Sequence, residues 1–122
     1  MKKFRVLLVA TNVGEALNLQ SGLCQAEQFD VVGTSQTGAD CVEMAIAKEA
    51  DLLVLNLKLR DMDGLEVIRQ LKQSNPNRPK ILALSQFAWM AKAALSAGAD
   101  HFLCLPCGQN VAAHLADLMS ES

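Results

Sequence analysis

This sequence predicts a doubly wound α/β fold, with five parallel strands and helices on both faces of the sheet. Three observations carry the expectation. Five short apolar runs recur, at residues 6–10, 31–33, 52–57, 81–84 and 102–105. Each is continuous rather than alternating, the pattern of strands buried on both faces of a parallel sheet. The segments between them carry apolar residues at helical spacing, punctuated by Gly and Pro at the junctions.

The elements follow in order. After the first strand, Gly14 opens a helix whose core face is expected to carry Leu17 and Cys24, with Leu23 close by. The second helix starts at Gly38 and should bury Val42, Ala45 and Ile46. The third starts at Gly64, with Leu65, Ile68 and Leu71 inward and Lys72 following. Pro76 and Pro79 break the chain before the fourth strand, and Gly98 ends a fourth helix lying within residues 86–99. The last helix is marked by Val111, Leu115, Leu118 and Met119. Right-handed crossovers are expected for each unit, in a sheet of expected order 2-1-3-4-5. Ligand chemistry in such sheets sits at the carboxyl ends of the strands. That rule selects Ala10, Thr11, Asn12, Asn56, Ser85, Leu105 and Pro106.

Composition bounds the function. Residues 1–122 suit one domain, and 51% hydrophobic residues fill a core at this length without disulfides or metal. A formal charge of -2 with scattered basic residues argues against direct nucleic-acid binding. No run approaches the roughly 20 apolar residues of a membrane span, and residues 6–10 are too short for a signal peptide. A cytoplasmic protein is expected, with its four cysteines as thiols.

Three segments carry a resemblance to a known family: DLLVLNLKLRDMDGLEVI at 51–68, FDVVG at 29–33 leading to the Gly38 helix, and GADHFLCLP at 98–106. Together they resemble response-regulator receiver domains, of the flavodoxin-like fold class, over essentially the whole chain. Within that family the Leu84-Ser85-Gln86-Phe87 segment is similar to the sporulation master-regulator type among receivers of transcriptional regulators. The resemblance implies a phospho-accepting Asp at the end of strand three and two acidic residues after strand one that help hold Mg²⁺. It also implies a hydroxyl ending strand four and a Lys ending strand five that bind phosphoryl oxygens. Carried over by position, the acceptor is Asn56, the acidic pair is Ala10 and Thr11, the hydroxyl is Ser85, and the Lys is Leu105 before Pro106. The short span from Ser85 to Gly98 suggests a fourth helix or leading loop that has lost residues.

Those departures remove the chemistry. An amide is no substitute for a carboxylate nucleophile, because its nitrogen lone pair is delocalised and its oxygen bears no full charge. Mg²⁺ needs hard oxygen ligands in near-octahedral array, and Ala10 supplies none while Thr11 supplies a neutral hydroxyl. Phosphoryl transfer rests on positioning and charge stabilisation, to which Leu105 adds nothing. The expected pocket is therefore neutral, without cofactor or metal, and the expected function is a non-enzymatic signalling module working through protein contacts.

Other residues have competing readings. Asp61 and Asp63 flank Met62 before Gly64 and read as turn and cap residues of the following helix. Lys58 and Arg60 read as solvated loop charges. Cys104 and Cys107 form a C-x-x-C, so a thiol redox or metal sensor is an alternative from a different class. Cys24 and Cys41 read as helix packing, and His101 and His114 as isolated surface or strand-edge residues. A residual phosphoacceptor using Ser85 or deamidated Asn56 is a further alternative. Ser85 and Phe102 match the hydroxyl and aromatic that change position together on activation in the family. The fourth helix has little polar face, and Phe87, Trp89 and Met90 with Phe102 make a candidate face for a protein partner, a linked effector domain or a homodimer.

Overall fold

Every predicted apolar run becomes a strand: β1 (Phe4–Val9), β2 (Phe29–Ser35), β3 (Leu52–Asn56), β4 (Lys80–Ser85) and β5 (His101–Cys104). The computed structural model describes residues 3–24, 26–75, 79–105 and 111–120. All neighbours are parallel and the order is β2-β1-β3-β4-β5, so the predicted doubly wound topology is the observed one. Helices α1 (Val13–Cys24), α2 (Gly38–Ala47), α3 (Gly64–Ser74), α4 (Ala91–Ala97) and α5 (Val111–Ser120) alternate with the strands, and a 3₁₀ turn, Ala88–Met90, leads into α4.

The sheet divides the core into two layers. Leu7, Val9, Leu53, Leu55, Ile81 and Ala83 point toward α2, α3 and α4. Val6, Leu8, Leu52, Val54, Leu82 and Leu84 point toward α1 and α5. Neighbouring residues in each strand therefore serve opposite layers, as the pleat requires.

Two helix faces differ from expectation. In α1, Ala16, Leu19 and Leu23 are buried, whereas Leu17 is 60% exposed. The side chain of Cys24 lies outside the described residues. In α2 the buried positions are Gly38, Cys41 and Ala45, and Ile46 is 64% exposed. Val42 and Met44 are partly buried against the same layer, and Ile46 lies on the opposite, solvent side of the helix. In α3, Val67, Ile68 and Leu71 are buried with Leu65 partly covered, and in α5 Val111, Leu115 and Leu118 are buried. Pro79 precedes β4 as expected, while Pro76, Pro106 and Cys107 lie outside the described residues, as does the side chain of Met119. Gly98 terminates α4 at φ 124°, a conformation that favours glycine.

The loop from β3 to α3 folds back on itself. Gly64 donates its N–H to Leu57 O at 3.1 Å, and a Cβ at Gly64 would stand 2.6 Å from Leu57 Cα. Only glycine permits that approach, and it holds residues 57–63 against the carboxyl edge of the sheet. Asp63 caps α3 as predicted, accepting from Leu65 N at 2.9 Å. Asp61 reaches the preceding helix instead, as its bonds to the Gly38 and Ala39 N–H groups show.

Candidate functional site

The order of strands reverses between β1 and β3, so the crevice at their carboxyl ends is where this topology places a ligand. A pocket of about 500 Å³ opens there. Thr11, Asn56 and Ser85 line it. Ala10 lies beneath, fully buried, with its N–H donated to Ser35 O at 3.0 Å. Leu105 packs on the α1/α5 layer and donates its N–H to Ser85 O at 2.7 Å. Of the five positions of the expected phosphoacceptor pocket, three thus meet in one cavity and two support it from below and beside.

The pocket is not free of charged groups, since Glu15 and Lys58 both line it. Asn12 accepts Glu15 N at 2.9 Å through Oδ1, which starts α1, and Glu15 Oε1 turns back to accept Thr11 N at 3.2 Å. This reciprocal arrangement is a variant of the helix capping box. The same Oε1 accepts Asn56 Nδ2 at 2.8 Å. A signal was present in the Asn12-x-x-Glu15 spacing: a capping Glu on the helix entering from β1 has to lie at the carboxyl edge of the sheet.

Asn56 is buried and its amide is held at both ends. Its Oδ1 accepts Lys58 N at 2.9 Å, and its Nδ2 donates to Glu15. A carboxylate only accepts and a backbone N–H only donates, so these partners fix which end of the amide faces which. Thr11 Oγ1 donates to Lys58 O at 2.9 Å, tying the loop after β1 to the loop after β3. Ser85 is buried and its Oγ accepts Phe87 N at 3.0 Å.

Across the mouth stand Phe87 and Trp89, with ring centroids 5.7 Å apart and planes tilted by 31°. Phe87 is 53% exposed and Trp89 73%. Met90 is partly buried and, like Phe102, packs on the α2/α3/α4 core layer. Phe102 pairs with Ala83 across β4 and β5, whereas Ser85 pairs with Cys104, so the two switch-like residues sit at different levels of the sheet.

The remaining candidates separate. Cys104 is exposed, its Sγ 3.6 Å from Gln86 O, and its expected partner Cys107 is outside the described residues. Cys41 is buried against α3 and the sheet, as expected of a packing residue. Burial pushes its thiol up to about 12, with the Asp61 carboxylate adding to the effect. Lys58 and Arg60 are exposed. His101 and His114 are not isolated: His101 Nε2 lies 3.2 Å from His114 Nδ1, joining β5 to α5.

The described part of the chain resembles known proteins throughout. The response regulator receiver domain profile matches residues 6–116.

The chain belongs to the response-regulator receiver domain family. This receiver is 27% identical over 120 residues to the uncharacterized transcriptional regulatory protein YesN of Bacillus subtilis, covering 94% of this chain and 32% of that protein. It is 31% identical over 101 residues to the response regulator protein VraR of Staphylococcus saprophyticus, covering 81% of this chain and 48% of that protein. It is 35% identical over 105 residues to the protein-glutamate methylesterase/protein-glutamine glutaminase 5 of Myxococcus xanthus, covering 84% and 30% respectively. The receiver therefore spans less than half the length of each of these relatives. The fold of the NarL signal receiver domain from Mycobacterium tuberculosis superposes with TM-score 0.90 at 22% identity, covering 100% of both chains. The receiver takes part in signal transduction as a non-catalytic domain.

The receiver family implies a divalent cation in this pocket, and the donors present do not fit one. Glu15 is the single carboxylate lining the pocket among the described residues, Asn56 turns its NH₂ toward Glu15 and its oxygen toward Lys58 N, and the Ala10 side chain has no donor atom. Among the described residues no group of three or more His, Cys, Asp or Glu is placed to hold a metal ion. Among them, too, no helix is long and apolar enough to cross a membrane.

Proposed function

We propose that this domain, residues 1–122, is a pseudo-receiver: a signalling module that acts through protein contacts without Asp phosphorylation. The observation that carries the reading is the clamp on Asn56. The acceptor position holds an amide, and both of its ends are already bonded, to Glu15 and to the Lys58 N–H. An incoming phosphoryl donor is an anion and would meet the Glu15 carboxylate beside Asn56. No cation stands at Leu105 to offset that repulsion. The neighbouring Ser85 hydroxyl is buried and already accepts Phe87 N, which leaves it poorly presented as a substitute acceptor.

The partner is a protein, either an effector domain in the same polypeptide or a separate cytoplasmic molecule. Its contact face is formed by Phe87, Trp89 and Met90 with Phe102 nearby on β5. The exposure of Phe87 and Trp89 supports this, since large exposed aromatic residues commonly anchor interfaces. Direct contact with nucleic acid is not part of the reading. The thiol-sensor alternative draws support only from the exposure of Cys104.

The test is intact-mass measurement after incubation with acetyl phosphate, with and without Mg²⁺. The expected result is no phosphorylated species in either condition. A Mg²⁺-dependent phosphorylated species would overturn the reading.

A further inference from the structure

We propose that the pocket at the carboxyl edge of the sheet binds a small organic cation, an ammonium or amidinium group carried on a flat apolar body. The proposal rests on the pseudo-receiver reading in one respect, that the pocket is not used for phosphoryl transfer, and its ligand would compete with the protein partner for Phe87 and Trp89.

The charge at the base of the pocket selects the sign of the ligand. Glu15 Oε1 takes N–H groups from Thr11 and Asn56, while among the described residues Oε2 has no hydrogen-bond partner. No ion pair among the described residues involves Glu15, so none of them brings a side-chain cation within 4.0 Å of it. Lys58 lines the same pocket, and it is the backbone of Lys58, not its ammonium, that bonds to Asn56 and Thr11. A partly buried carboxylate with one open oxygen favours a positively charged donor. The Thr11 N–H and the Asn56 amide nearest the base are spent on Glu15, so an anion reaching that end of the pocket meets the carboxylate first.

The shape of the mouth selects the body of the ligand. Phe87 and Trp89 form a tilted aromatic wall beside Met90, and both rings stand largely open to solvent. A flat apolar group laid against this wall removes aromatic surface from water, and a cation at its end gains from the ring faces as well as from Glu15. The volume of about 500 Å³ lies within the range of small-molecule sites and accommodates one or two rings. Carboxylate and aromatic wall arrive from different elements, Glu15 on α1 and Trp89 on the turn before α4, so the site exists only in the folded domain.

Trp89 is the single tryptophan of the chain, so its fluorescence reports on the pocket directly. The experiment titrates the full chain with three probes of one shape and different charge: benzamidine, benzamide and benzoate. Benzamidine is expected to give a saturable change at millimolar concentration or below, with benzamide and benzoate weaker by about tenfold or more, the scale of one charge-assisted hydrogen bond. Glu15→Gln should weaken benzamidine by a similar factor while its thermal melt remains cooperative. Trp89→Leu, read by calorimetry, should weaken it as well. Equal affinity for the three probes, no saturable response to benzamidine, or an unaltered affinity in a folded Glu15→Gln variant would each overturn the proposal. The probe series on the unaltered chain decides the matter even where a variant fails to fold. A phosphorylated species in the mass measurement would sink the pseudo-receiver reading by a separate readout and leave the titration to be judged alone.

Discussion

Asp61 Oδ1 accepts the Gly38 N–H at 2.7 Å and its Oδ2 accepts the Ala39 N–H at 3.1 Å, so the loop leaving β3 caps the helix on its far side. The N-terminus of α2 is thereby tethered to the loop that carries Lys58, beside Asn56. Thr37 adds the ordinary cap by accepting Asp40 N at 3.3 Å.

Asp61 makes stability depend on acid. The N–H of Gly38, then that of Ala39, holds its carboxyl below the usual carboxylate range. A depressed folded value contributes stability that is present above the ordinary carboxyl pKa of about 4 and lost as pH falls through the folded value. Asp61→Asn should therefore melt below the unaltered chain at neutral pH, and the gap should close as pH drops below about 4. A gap of constant size from pH 7 to pH 3 would contradict this account.

The thiols should separate by environment. With the Cys41 thiol at about 12, its thiolate at pH 8 is on the order of one part in ten thousand, and the side chain is buried besides. Cys104 is exposed. Iodoacetamide at pH 8 followed by peptide mapping should find Cys104 modified in the native protein and Cys41 only in denaturant.

Restoring a carboxylate at the acceptor position should fail. Asn56→Asp places a second acid against Glu15, where an amide now donates at 2.8 Å. The new carboxyl would have a raised folded value, so its cost is absent in acid and grows as pH rises past about 4. Denaturant titration at pH 7 should give a loss of about 1–3 kcal/mol. Adding Glu15→Gln, which can again donate, should recover most of that loss. Neither variant is expected to accept a phosphoryl group, because Ala10 and Leu105 still supply neither metal ligand nor cation.

The His101–His114 contact should be measurable as a coupling. Removing one ring, as in His114→Ala, should cost about 1 kcal/mol in denaturant titration, the net scale of one hydrogen bond. A double-mutant cycle with His101→Gln should return a coupling energy above zero. Strict additivity would mean that the two rings are neighbours without a bond.

The sheet was legible because each strand is an unbroken apolar run, which survives any uncertainty about helix faces. The faces of α1 and α2 were less so. Both helices carry apolar residues on more than one face, so spacing alone does not select the inward one: Cys41 and Ala45 face inward while Leu17 and Ile46 do not. Thr11, Asn56 and Ser85 were found because strand ends in this topology are countable. Glu15 was missed because it sits on a helix, and only its long side chain brings it back to the strand ends. His101 and His114 were missed because thirteen residues and a change of element separate them in sequence.

β3 reads Leu52-Leu53-Val54-Leu55-Asn56, and all five residues are buried. Four apolar side chains of similar size would fit the two core layers almost as well if the strand slid by one position between β1 and β4. Asn56 removes that ambiguity. Drawn inward, its amide would lose Glu15 and the Lys58 N–H and remain unsatisfied in hydrocarbon, at a cost of about 1–3 kcal/mol. The polar residue that ends the strand thus marks, for an otherwise repetitive segment, the alignment in which its amide keeps both partners.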